Sequence, residues 1–89
     1  MKLLILYRPD SEQATLVETF ARDLQRQHDL GSRLELLSLN TREGATTAAL
    51  YEIMSYPAIL ALANDGSVLN VWQGSDLPLI DEVLGYMYE

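Results

Sequence analysis

The sequence predicts an α/β domain: a four-stranded mixed sheet flanked by three helices, in the order β-α-β-α-β-β-α. Three observations carry this. The nearly continuous apolar run Leu3 to Tyr7 gives way, after Arg8-Pro9-Asp10, to apolar residues at helical spacing. Asp65-Gly66 separates two strand-like stretches, a strong hairpin signal because glycine accepts positive φ freely. Leu77, Ile80, Val83, Leu84 and Met87 then form one closing helical stripe.

Taken in order, Leu3-Leu4-Ile5-Leu6-Tyr7 reads as a strand buried on both faces, hence central. Asp10 and Gln13 have the spacing of a capping box, which predicts a first helix from about Ser11 to His28 with Ala14, Val17, Phe20, Ala21 and Leu24 inward. Its other face carries Glu18, Arg22, Asp23 and Arg26, and Gly31 is a natural stop. Arg33 to Leu39 reads as a second interior strand, because Leu34, Leu36, Leu37 and Leu39 mix alternation with a doubly apolar stretch. Asn40 to Gly44 breaks the pattern. Ala45, Ala49, Leu50, Ile53 and Met54 then mark the inner face of a short second helix, closed by Ser55-Tyr56-Pro57.

Strands are expected over Ala58 to Ala63 and Val68 to Gln73, and Asp76 is a good N-cap for a third helix with Pro78 in its first turn. A strand, a crossover helix and a strand at the start imply a parallel pair; the hairpin adds an antiparallel one. All residues, 1–89, are expected to form one domain, since no linker, repeat or low-complexity segment interrupts the order.

Composition narrows the function. With 48% hydrophobic and 21% charged residues the chain is that of an ordinary globular protein. Thirteen acidic against six basic residues give a net charge of −7, which repels phosphate backbones and anionic lipid, so nucleic-acid binding is not expected. No apolar run reaches the roughly 20 residues of a membrane span, and none resembles an export signal. With no cysteine, the chain cannot form disulfides or Cys-ligated metal sites and is indifferent to redox conditions, which fits a cytoplasmic location best.

The order of elements, with Tyr7-x-Pro9-x-Ser11-x-x-Ala14 at the first strand's exit and Tyr56-Pro57 before the hairpin, resembles the thioredoxin-like superfamily, nearest in length to glutaredoxins. The resemblance spans nearly the whole chain. It implies that Ser11 and Ala14 stand where the family carries Cys-x-x-Cys or Cys-x-x-Ser, so both sulfurs are missing. It further implies that Tyr56-Pro57 is the family's cis-proline, facing that motif. Gly74-Ser75-Asp76-Leu77 is similar to the turn where glutaredoxins hold the γ-glutamyl end of glutathione, although it is also an ordinary capping turn.

The remaining chemistry is limited. Thiol–disulfide exchange requires a thiolate, which no side chain supplies. Ser11 would need an adjacent base, and the only histidine, His28, stands about 17 residues away along the same helix, or about 25 Å. One imidazole with scattered carboxylates makes no metal-ligand set. Asp10 and Glu12 are explained by helix-start electrostatics, and Trp72 by the core under the closing helix. No catalytic residue, metal or cofactor is expected.

A recognition surface is left. The resemblance implies a groove beside Pro57 that binds an extended peptide or glutathione through main-chain hydrogen bonds, lined by Tyr7, Arg8, Pro9, Ser11, Tyr56, Pro57, Ser75 and Asp76. Tyr86 and Tyr88 near the C-terminus add aromatic surface. Three readings follow: a redox-inactive interaction module for an unknown protein or peptide partner; a glutathione-binding or glutathione-transferase-like domain in which Ser11 or Tyr7 assists a thiolate; and a scaffold or oligomerising subunit.

Overall fold

The computed structural model describes residues 1–74, 77–78 and 80–85. The strands are β1 (Lys2–Tyr7), β2 (Leu34–Ser38), β3 (Ala58–Leu62) and β4 (Val68–Gln73). The helices are α1 (Ala14–His28), α2 (Arg42–Leu50) and α3 (Ile80–Leu84). They alternate as the sequence predicts, with a 3₁₀ turn, Gly31–Arg33, ahead of β2.

The sheet order is β2-β1-β3-β4. β1 pairs parallel with β2 in the register Leu3 to Leu34 and antiparallel with β3 in the register Leu4 to Leu60. The β3–β4 hairpin is antiparallel, with a register shift at Ala61/Leu62. Covering both faces of the two central strands buries every β3 residue and all of Leu3 to Leu6. On one face Leu3, Ile5, Ile59 and Ala61 pack with Val17, Ala21 and Leu24 of α1 and Val83 and Leu84 of α3, with Trp72 at the margin of this core. On the other, Leu4, Leu6, Leu60 and Leu62 pack with Ala48 and Ile53.

Several expectations are corrected. β2 is an edge strand, not an interior one: only β1 pairs with it, and Leu36 is partly exposed at its outer side. Its doubly apolar stretch serves two half-covered faces, and Glu35, paired with Lys2 at 2.6 Å, puts a charge on the edge.

α1 starts at Ala14 rather than near Ser11, and Gln13, not Asp10, is its N-cap. Pro9 occupies the second position of a turn closed by Ser11 N–H donating to the Arg8 carbonyl at 3.1 Å. The Asp10 carboxylate accepts instead from Asn40 Nδ2 at 3.3 Å, so no capping box forms. At the other end the helix closes on Asp29, at φ 41°, before Gly31 is reached. Gly31 opens the 3₁₀ turn and exchanges two hydrogen bonds with the Gln25 amide.

The inner face of α2 also differs. Within α2 Gly44 and Ala48 are buried, whereas Ala45, Ala49 and Leu50 face solvent; the helix ends at Leu50, so Ile53, buried, and Met54, 83% exposed, lie beyond it. Arg42, Glu43 and Gly44, expected in a break, form the first turn. The cause lies at that end: Thr41 caps α2 by accepting from Gly44 N–H at 3.0 Å while donating its hydroxyl proton to the Ser38 carbonyl at 2.7 Å. This pins the first turn against the end of β2 and fixes the rotation of everything after it.

β3 ends at Leu62 rather than Ala63, which belongs to the turn. There Gly66 at φ 88° donates to the Ala63 carbonyl, and Asp65 accepts from the backbone and hydroxyl of Ser67. α3 begins only at Ile80, so Pro78 precedes it; Asp76, Met87, Tyr86 and Tyr88 lie outside the described residues. Among the described residues no helix is long and apolar enough to cross a membrane.

Candidate functional site

Where β1 ends, the chain turns sharply through Arg8–Ser11 before α1 begins, and β3 starts on the adjoining side of the sheet immediately after Tyr56-Pro57. Between them lies a cleft of about 230 Å³ lined by Tyr7, Arg8, Ser11, Gln13, Tyr56 and Pro57. The structure thus brings together five of the residues singled out in the sequence. Pro9 is exposed in the turn and is not part of this lining, and Ser75 and Asp76 lie outside the described residues. Gln13 joins the cleft unforeseen. The capping-box spacing places Gln13 inside the helix; as the N-cap it lines the cleft instead.

Each wall is held by hydrogen bonds within the protein. Tyr7 donates its hydroxyl proton to Glu18 of α1 at 3.3 Å. Burial, then the adjacent Glu18 charge and the hydrogen bond to it, raise the Tyr7 pKa above its ordinary value. Ser11 donates its hydroxyl proton to the Arg8 carbonyl at 2.7 Å, closing the turn a second time. Tyr56 donates to the Ile53 carbonyl at 3.2 Å, which orients its ring, and the Arg8 guanidinium lies 5.8 Å from the ring centroid, a cation–π arrangement.

The Tyr56–Pro57 peptide bond is cis. The buried Pro57 carbonyl accepts from Gly74 N–H at 3.0 Å, and Gly74 takes φ 100°, so the segment after β4 passes beside Pro57. The Gln73 amide oxygen accepts from the N–H groups of Met54 and Ser55, at 3.0 and 3.2 Å, and holds the strand entry. Among the described residues no group takes up the main-chain N–H or C=O of Tyr56.

The Ser11 and Tyr7 hydroxyl protons are committed to Arg8 and Glu18, and His28 lies at the opposite end of α1 from Ser11. Among the described residues no three histidine or carboxylate side chains are grouped to hold a metal ion.

No protein-family model matches the chain, and no curated protein matches it. Solved structures do. Thioredoxin 1 from the thermophilic eubacterium Thermosipho africanus superposes with a TM-score of 0.69 at 13% identity, covering 98% of this chain and 90% of that one. A malarial protein superposes with a TM-score of 0.67 at 19% identity, covering 96% and 90%. The chain therefore has the thioredoxin-like fold, and it has it without a single cysteine.

Proposed function

We propose that this protein is a redox-inactive thioredoxin-like domain that binds an extended protein or peptide segment in the groove beside Pro57. The observation that carries the reading is the cleft itself, lined by two tyrosines and an arginine and including Tyr56, whose main-chain N–H and C=O no described residue takes up. Main-chain pairing with an extended ligand needs no sulfur, and tyrosine and arginine are among the residue types enriched at binding hot spots. The missing cysteines remove exchange chemistry but leave this mode of binding intact.

The glutathione-transferase-like reading fares worse. It needs Ser11 or Tyr7 to donate a hydrogen bond to a ligand thiolate, and both protons are already donated within the protein.

The test is a titration of ¹⁵N-labelled protein with blocked extended peptide pools and, separately, with glutathione. Peptide-induced shifts are expected at Tyr7, Arg8, Gln13 and Tyr56. Tyr56→Ala is expected to weaken binding about 30-fold, as for a hot spot of about 2 kcal/mol. Shifts confined to another surface would refute the reading, and shifts at these residues with millimolar glutathione alone would favour the alternative.

A further inference from the structure

We infer that the groove selects its peptide through one acidic side chain, whose carboxylate is held by the Arg8 guanidinium that lies over Tyr56. The inference rests on the groove being a peptide site and specifies what that peptide carries.

Six side chains line the cleft, and Arg8 alone among them carries a formal charge. In a chain with thirteen acids and six bases, a cleft whose only charge is positive runs against the composition. Of the carboxylates near Arg8 in sequence, Asp10 accepts from Asn40 and Glu18, across Tyr7, accepts from that tyrosine, while exposed Glu12 forms no ion pair with Arg8. The ion pair formed among the described residues is Lys2–Glu35, on a different part of the sheet, and no described carboxylate pairs with Arg8.

Geometry adds to charge. The Tyr56 ring is fixed by its hydroxyl's bond to Ile53, so the guanidinium 5.8 Å above it has a platform. No described residue accepts from the guanidinium N–H groups, so they are available as a two-pronged donor, the arrangement that matches a carboxylate. An arginine already oriented loses less side-chain freedom on binding than a mobile one. A basic ligand side chain entering the cleft would meet like charge with no lining carboxylate to offset it. A neutral side chain would form weaker hydrogen bonds with the guanidinium than an ionised one.

Exposed Asp10 and Glu12 adjoin the cleft, and the whole chain is negative, so residues flanking the acid are best matched by lysine.

The experiment titrates ¹⁵N-labelled protein with two acetylated and amidated hexapeptide pools, Lys-x-x-Glu-x-Lys and Lys-x-x-Gln-x-Lys. The Glu pool is expected to bind at least ten-fold tighter, with shifts at Arg8 and Tyr56. Arg8→Gln, an exposed substitution checked for folding by its amide spectrum, is expected to erase the difference between the pools. Equal binding of the two pools at the groove would overturn the acid selection while leaving the peptide site standing. A Glu preference that survives Arg8→Gln would place the reader of the acid elsewhere and overturn it too. A Gln pool with free C-termini that matches the Glu pool would show that a chain terminus is read instead of a side chain. Binding by no pool up to millimolar concentration would remove the groove reading and this inference together.

Discussion

The Tyr7 hydroxyl donates to the Glu18 carboxylate at 3.3 Å, tying the exit of β1 to the second turn of α1 and fixing one wall of the cleft. Burial and the Glu18 charge raise the Tyr7 pKa, so the folded protein holds this proton more tightly than the unfolded chain does. The stability linked to it is complete below the unfolded tyrosine pKa of about 10 and is lost as pH rises through the higher folded value. Glu18→Gln is expected to move Tyr7 back toward the ordinary range, leaving only the effect of burial. A ring-carbon NMR titration reads this directly, and an unmoved Tyr7 would contradict the assignment.

A Cβ added to Gly44 would stand 1.9 Å from the Ser38 carbonyl oxygen, which is rigid backbone at the end of β2. Gly44→Ala is therefore expected to cost about 3 kcal/mol, or to shift the first turn of α2 outward. Urea unfolding measures the loss. Thr41→Ala, which removes the cap at the same junction, is expected to cost about 1 kcal/mol.

The side chain of Gln73 accepts from two backbone N–H groups, those of Met54 and Ser55, just ahead of Tyr56. Gln73→Leu is expected to destabilise the fold by only about 1 kcal/mol, because both donors can turn to water. Amide exchange at Met54 and Ser55 is expected to accelerate while that of β1 holds steady.

The two faces of α2 separate by mutation. Leu50→Gln, on the exposed face, is expected to change stability by less than about 0.5 kcal/mol. Ala48→Asp, which puts an unpaired charge on the buried face, is expected to cost about 3 kcal/mol. Equal losses at the two sites would contradict the observed rotation of α2.

Where local pattern and global fold agree, the sequence was readable. The hairpin around Asp65-Gly66 and the doubly buried β1 follow from period and turn chemistry alone. The rotation of α2 does not, because Ala45, Ala49 and Leu50 form as good an apolar stripe as the Gly44 and Ala48 it buries. Only the tertiary approach of Gly44 to Ser38 decides between them. Asp10 illustrates the same limit: its capping pattern is present, but a long-range partner, Asn40, takes its carboxylate. In the cleft, Tyr7, Arg8, Ser11, Tyr56 and Pro57 were legible through the family resemblance, which rests on the motif after the first strand and the proline before the third. Gln13 was not, since its place depends on where α1 begins.

The strand order has one more consequence. β1–α1–β2 and the β3–β4 hairpin are each knit locally, and among the strands only the ladder between residues 2–6 and 58–62 joins the halves. That seam closes the longest loop in the sheet and sets the entropic barrier to folding. A chain severed in the loop between β2 and α2 would have to reassemble across it, so the cleft, which takes Tyr7 from one side and Pro57 from the other, would exist only once the two pieces had met.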